Sequence, residues 1–102
     1  KGISELIALF LLVGIAAPFF EEIFFRGVLL TSFRTKWAPL TAVVLSAATF
    51  ALMHPVNGFL PIFGIGLVLA GLTYERKSLL APMVAHSLNN IVAFLLLLLL
   101  MG

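Results

Sequence analysis

Two carboxylates, two imidazoles, a guanidinium and a pair of amides occur in this chain where nearly every neighbour is apolar. Glu21 and Glu22 stand side by side in the stretch "PFFEEIFFRG", residues 18–27, which also carries Arg26. His54 closes "FALMH", and His86 opens "HSLNN", which ends on Asn89 and Asn90. Carboxylates and imidazoles take up and release protons, while amide and guanidinium groups offer N–H donors. Spacing separates their roles. Glu22 and Arg26 are at i, i+4, an orientation that favours an ion pair on one helix. Glu21 is rotated about 100° away and has no cation three or four residues from it on the helix. Glu22 and Arg26 therefore read as supporting residues, and Glu21 as the carboxylate available for chemistry. His86 and Asn90 are also at i, i+4, so both project from one helix face toward the same space.

The elements that hold these groups must lie in a membrane. The 102 residues are 63% hydrophobic and 10% charged, whereas soluble domains use roughly 25% charged residues. Residues 37–74 contain no Asp, Glu, Lys or Arg, and neither do residues 78–102. A helix crossing about 30 Å of hydrocarbon needs roughly 20 apolar residues. The first of these stretches thus holds two short crossings and the second holds one. Apolar character runs along the whole chain, which excludes reading one segment as a signal peptide. The chain starts without Met, so residues 1–102 are expected to form one domain of a longer polytopic protein. It has no cysteine, which removes disulfides, thiolate catalysis and cysteine metal sites.

Breakers divide the chain into four helical segments, an all-α polytopic bundle. The first is expected from about Ile3 to Phe33, kinked at Pro18. The second runs from near Pro39 to Met53 or His54, where Pro55 in "HPVNG" marks a break. The third covers about Phe59 to Tyr74, with small residues Gly64, Gly66, Ala70 and Gly71 that permit close helix approach in lipid. The fourth runs from Ser78 or Leu79 to Met101, with Pro82 in its first turn and a lipid-facing run at Leu95–Leu100. Arg34 and Lys36 fall between the first two helices, and Arg76 and Lys77 between the last two. Alternating crossings put all four on one face, with only Lys1 opposite. By the excess of Lys and Arg in cytoplasmic loops, that face is expected to be cytoplasmic.

Depth can be counted from this basic boundary. Glu21 is 13 residues from Arg34, Asn90 is 13 from Lys77 and His86 is 9 from Lys77, giving roughly 20, 20 and 14 Å. Those three reach one level. His54, 18 residues from Lys36, comes out deeper, at roughly 27 Å. Each residue also has a structural reading: His54 as a hydrogen-bonded core residue, Arg26 snorkelling toward the interface, and Asn89 in a helix–helix hydrogen bond. Charged groups at membrane depth are costly and usually mark function. The cluster as a whole therefore points beyond structure.

The order and local form of these residues resemble a known family. "EEIFFR" matches an EExxxR motif, "FALMH" an FxxxH motif and "HSLNN" an HxxxN motif of the CPBP family. That family comprises the type II CAAX prenyl proteases and their bacterial Abi and bacteriocin-processing relatives. The likeness covers about residues 16–92, with no departure at the motif positions. It implies an all-helical intramembrane endopeptidase in which Glu21 is the catalytic carboxylate, His54 its partner, and His86 and Asn90 the oxyanion stabilisers.

Peptide hydrolysis of that kind needs an activated water and donors for the tetrahedral oxyanion. Glu21 could serve as base and then as proton donor to the leaving amine. His54 could orient the water, and His86 and Asn90 could supply two N–H groups to one oxygen. No cofactor is the favoured expectation. Zinc or another divalent metal on Glu21, His54 and His86 is the alternative, since two imidazoles and a carboxylate form a known zinc set. The His–Asn pair and the lack of HExxH spacing favour the metal-free form. Expected partners are the lipid bilayer and a peptide or protein substrate, which could be a prenylated C-a-a-X tail or a bacteriocin-like peptide; no nucleic acid is expected. The active site is expected nearer the cytoplasmic side. Two rival classes remain: a proton-coupled transport module, and a non-catalytic immunity or scaffold protein that binds a peptide.

Overall fold

A computed structural model describes residues 2–54 and 58–102. Lys1 and the break expected at Pro55–Asn57 lie outside the described residues. Four helices and no strand occur among those described: α1 (Ile3–Arg34), α2 (Pro39–Leu52), α3 (Phe59–Arg76) and α4 (Leu80–Met101). Three of them, α1, α3 and α4, are long and apolar enough to cross a membrane. The protein is an all-α membrane helix bundle. Helix α2 has 14 residues, a rise of about 21 Å, so it falls short of a full hydrocarbon core.

Local chemistry sets the ends. Pro39 is the first residue of α2, after an extended Ala38, where its missing N–H costs nothing. Gly58, at φ 86°, leads into α3. Helix α3 runs two residues past the expected Tyr74, because Glu75 and Arg76 continue it, and stops where Lys77 turns left-handed at φ 50°. The Leu80 N–H then donates to Ser78 Oγ (3.0 Å), an early cap for α4.

Pro18 does not end α1. The backbone ladder instead slips into π-helical stretches on both sides of it, at Leu12–Ala16 and Ile23–Leu29. Such stretches are rare and often accompany functional sites.

Two buried layers fix how the helices run. Phe25, Phe50 and Leu69 pack together with Ile62, Ile65 and Ala85; Leu30, Ala42 and Ala70 pack with Phe33 and Tyr74. Going from the first layer to the second, residue numbers rise in α1 and α3 and fall in α2, so α2 is antiparallel to both. The ends of α1 and α3, with their basic residues, therefore share one end of the bundle. Helices α2 and α3 touch through small residues: a Cβ on Gly66 would lie 3.0 Å from Ala47 Cα. Outward, Phe20, Leu40, Leu60, Leu99 and Leu100 are exposed, as expected of surfaces solvated by lipid.

Candidate active site

The site is assembled where α4 crosses the distorted part of α1. Pro18 has no N–H, so it cannot serve the Gly14 carbonyl in an α register or the Val13 carbonyl in a π register. The Ala17 N–H, the other donor within reach of Val13, goes to Leu12 O. Carbonyls freed at membrane depth need partners, and α4 supplies them. Ser87 Oγ donates to Gly14 O, and Asn90 Nδ2 donates to Val13 O (2.9 Å). Close approach is what makes this feasible, since a Cβ on Gly14 would lie 2.9 Å from Ile91 Cγ1. These bonds fix the rotation and height of α4 against α1, and with them the place of His86.

Around that junction the two glutamates separate. Glu22 is fully buried, whereas the Glu21 side chain is 32% exposed. Glu22 Oε1 is 3.2 Å from Arg26 Nε, the ion pair expected from their spacing. Its other oxygen, Oε2, lies 2.6 Å from His86 Nδ1. Glu22 thus links Arg26 to His86 and turns the far edge of that imidazole outward. His86 Nε2 lies 3.4 Å from Glu21 Oε1, and His54 Nε2 lies 3.7 Å from the same oxygen.

His54 is oriented by its own helix end. Its Nδ1 is 2.7 Å from Phe50 O; a carbonyl only accepts, so Nδ1 donates. In the neutral ring the proton is then on Nδ1 and Nε2 is an acceptor. Phe50, 2% exposed, stands behind both rings, 4.6 Å from the centroid of His54 and 5.6 Å edge-on from that of His86. A cavity of about 250 Å³ opens in front, lined by Glu21, Phe50, His54, His86, Asn89 and Asn90.

All four residues expected to be catalytic, Glu21, His54, His86 and Asn90, therefore line one cavity, with Glu22 and Arg26 behind it. Asn89 shares the cavity, and its Nδ2 is 3.5 Å from Asn90 Oδ1; among the described residues it bridges no helices by a side-chain hydrogen bond, and Ser87 and Asn90 do. Arg26 is 1% exposed and does not snorkel. Sequence reasoning passed over Ser87 and the contact of Glu22 with His86. The available signal was Pro18 four residues after Gly14, which announces an orphaned carbonyl. Among the described residues no group of three or more His, Cys, Asp or Glu side chains is arranged to hold a metal ion.

A family model, the type II CAAX prenyl endopeptidase Rce1-like family, matches residues 3–92. The chain belongs to this family. The match spans α1, α2 and α3 and reaches Val92 on α4, so every residue lining the cavity except Ala93 lies within it. No curated protein and no solved structure shows significant similarity to the chain. Membership in the Rce1-like family makes the protein a membrane endopeptidase of the CAAX type, and so a protein that acts on peptide or protein substrates.

Proposed function

We propose that this Rce1-like protein hydrolyses a peptide bond at the membrane-embedded cavity, with Glu21 as the acid–base group and no metal. The observation that carries this reading is the convergence of two imidazole Nε2 atoms on one Glu21 oxygen, at 3.4 and 3.7 Å. Glu21 Oε1 and the neutral His54 Nε2 are both acceptors. A water seated between them donates one hydrogen to each, which aims its lone pair at the substrate carbonyl.

As the water oxygen bonds to that carbon, its proton passes to Glu21 and negative charge collects on the carbonyl oxygen. His86 meets that charge from Nε2, which requires a proton on both ring nitrogens, with Glu22 as the buried counter-charge at Nδ1. Asn90 has a second amide hydrogen beyond the one given to Val13 O, and it serves as the other oxyanion donor. Collapse of the intermediate breaks the C–N bond while Glu21 returns its proton to the leaving amine, restoring the starting state.

The family description makes prenylated C-a-a-X peptides the first substrates to assay, with bacteriocin-like leader peptides second. The test is cleavage of such peptides by detergent-purified wild type, chelator-treated wild type and Glu21→Gln. Glu21→Gln should fold normally and lose activity by about 10²–10⁴, and chelated enzyme should keep its activity. A Glu21→Gln variant cleaving near the wild-type rate would overturn the assignment. Stoichiometric zinc whose removal abolishes cleavage and whose return restores it would make Glu21, His54 and His86 ligands instead.

The proposal also places the basic end, with Arg34, Lys36, Arg76 and Lys77, on the cytoplasmic side, and the active site nearer to it. Single cysteines at positions 35 and 78 should react with an impermeant thiol reagent from that side. Labelling of both only from the outside would reverse the orientation.

A further inference from the structure

A second cavity, of about 340 Å³, lies at the basic end of the bundle between α1 and α3. Arg26, Thr31, Arg34, Thr73, Tyr74 and Lys77 line it, and it shares no lining residue with the cavity at Glu21. Three of these side chains are cationic and none is a carboxylate.

Two buried groups in its wall lack partners. Arg26 is 1% exposed and its Nε lies 3.2 Å from Glu22 Oε1, but Nε, Nη1, Nη2 and that Glu22 oxygen all have no hydrogen-bond partner among the described residues. The other Glu22 oxygen is held by His86. The Tyr74 hydroxyl is also buried without a partner. Buried donors left unsatisfied are costly and uncommon, and donors of this kind beside two more cations call for an anion.

Depth and surroundings narrow its chemistry. Arg26 is 8 residues before Arg34, or about 12 Å further into the membrane. Arg34 Cζ lies 5.3 Å over the Tyr74 ring, so this cation and the Tyr74 hydroxyl belong to one wall. A phosphate group offers several anionic acceptors to a guanidinium, a phenol and an ammonium at once. Basic pockets between membrane helices bind anionic headgroups, and the bilayer supplies them at the level of Arg34 and Lys77.

The geometry points to a binding site for a phosphate group, that of an anionic phospholipid, with Arg34 and Lys77 at the mouth and Tyr74 and Arg26 beneath. Occupancy would tie α1 to α3 at the basic end and complete the surroundings of Arg26.

The test is native mass spectrometry of delipidated protein in detergent, with phosphatidylglycerol, phosphatidylcholine or inorganic phosphate added back. Wild type should retain about one phosphatidylglycerol per chain in preference to phosphatidylcholine. The double variant Arg34→Gln with Lys77→Gln should weaken retention roughly thirtyfold, and Tyr74→Phe, which changes no charge, about tenfold. Lys36→Gln with Arg76→Gln removes equal charge from the same end without touching the cavity and should bind like wild type. Phosphatidylglycerol retained without inorganic phosphate binding assigns the lipid as the source. Saturable inorganic phosphate binding lost in the same variants supports the site and assigns a free anion. The proposal is overturned if neither probe binds, if the control pair loses as much as the cavity pair, or if Tyr74→Phe binds as wild type does.

Discussion

Where α4 meets α1, polar contacts stand among the apolar ones: His86 on Glu22, Ser87 on the Gly14 carbonyl and Asn90 on the Val13 carbonyl. Where α3 meets α2 the contacts are small and apolar, with Gly66 against Ala47 and Ala70 beside Ala42. Both junctions hold groups of the same cavity, yet they specify different things. Lipid tails are as apolar as leucine, so apolar contact alone gives helices in a membrane little preference for one mutual rotation. Close packing of small residues sets the distance between α2 and α3, which suffices to back Phe50 and His54. Apolar contacts of α4, such as Ile91 on Gly14 and Phe94 on Phe10, likewise leave its rotation open. Directional bonds to carbonyls and a carboxylate fix it instead, and the ring that must face Glu21 is on this helix.

The largest expected effect is at the polar junction. Glu22→Ala leaves Arg26 buried without its counter-ion and His86 Nδ1 without its partner, so reversible unfolding in mixed micelles should show a loss of about 3–5 kcal/mol. Unchanged stability in that variant would break the comparison at its centre.

A matched pair sharpens it. Ser87→Ala and Asn90→Ala each remove one hydrogen bond between α4 and α1, and each should cost about 0.6 kcal/mol of stability. Only Asn90→Ala should also lower kcat by about 10²–10³, with KM nearly unchanged, because an oxyanion donor acts in the transition state alone. Equal kinetics in the two variants would leave Asn90 a structural residue.

The apolar seam should show an effect on stability alone. In Gly66→Ala the new Cβ meets Ala47 at 3.0 Å, and the overpacking cost of about 1–3 kcal/mol is partly offset by a helix-propensity gain of about 1 kcal/mol. A net loss on the order of 1 kcal/mol with unaltered KM is expected. A Gly66→Ala protein as stable as wild type would show that α2 and α3 separate freely, and that small residues do not hold this seam.

The helices were legible because apolar run length and prolines are local signals. Pro39 opens α2 as its position implied, and the Glu22–Arg26 pair follows from i, i+4 spacing alone. The depth count for His54 was too long because it began at Lys36, in the turn. Counted from Pro39, where α2 starts, His54 is 15 residues in, roughly 22 Å, level with Glu21. The slip of α1 into π-helical stretches was not legible, since Pro18 alone predicts a kink. How a freed carbonyl is satisfied depends on what another helix brings to it.

That this chain enters a membrane, roughly where its helices begin and end, and which groups carry protons at similar depth all follow from the order of its residues. Those properties come from composition and from contacts three or four residues apart. The packed bundle alone reveals that Glu22, bonded to His86 across 64 residues of chain, turns that ring toward Glu21, and that Asn90 rests on the Val13 carbonyl. Such pairings depend on the rotation of one helix against another, and in lipid that rotation is chosen by directional bonds between distant residues.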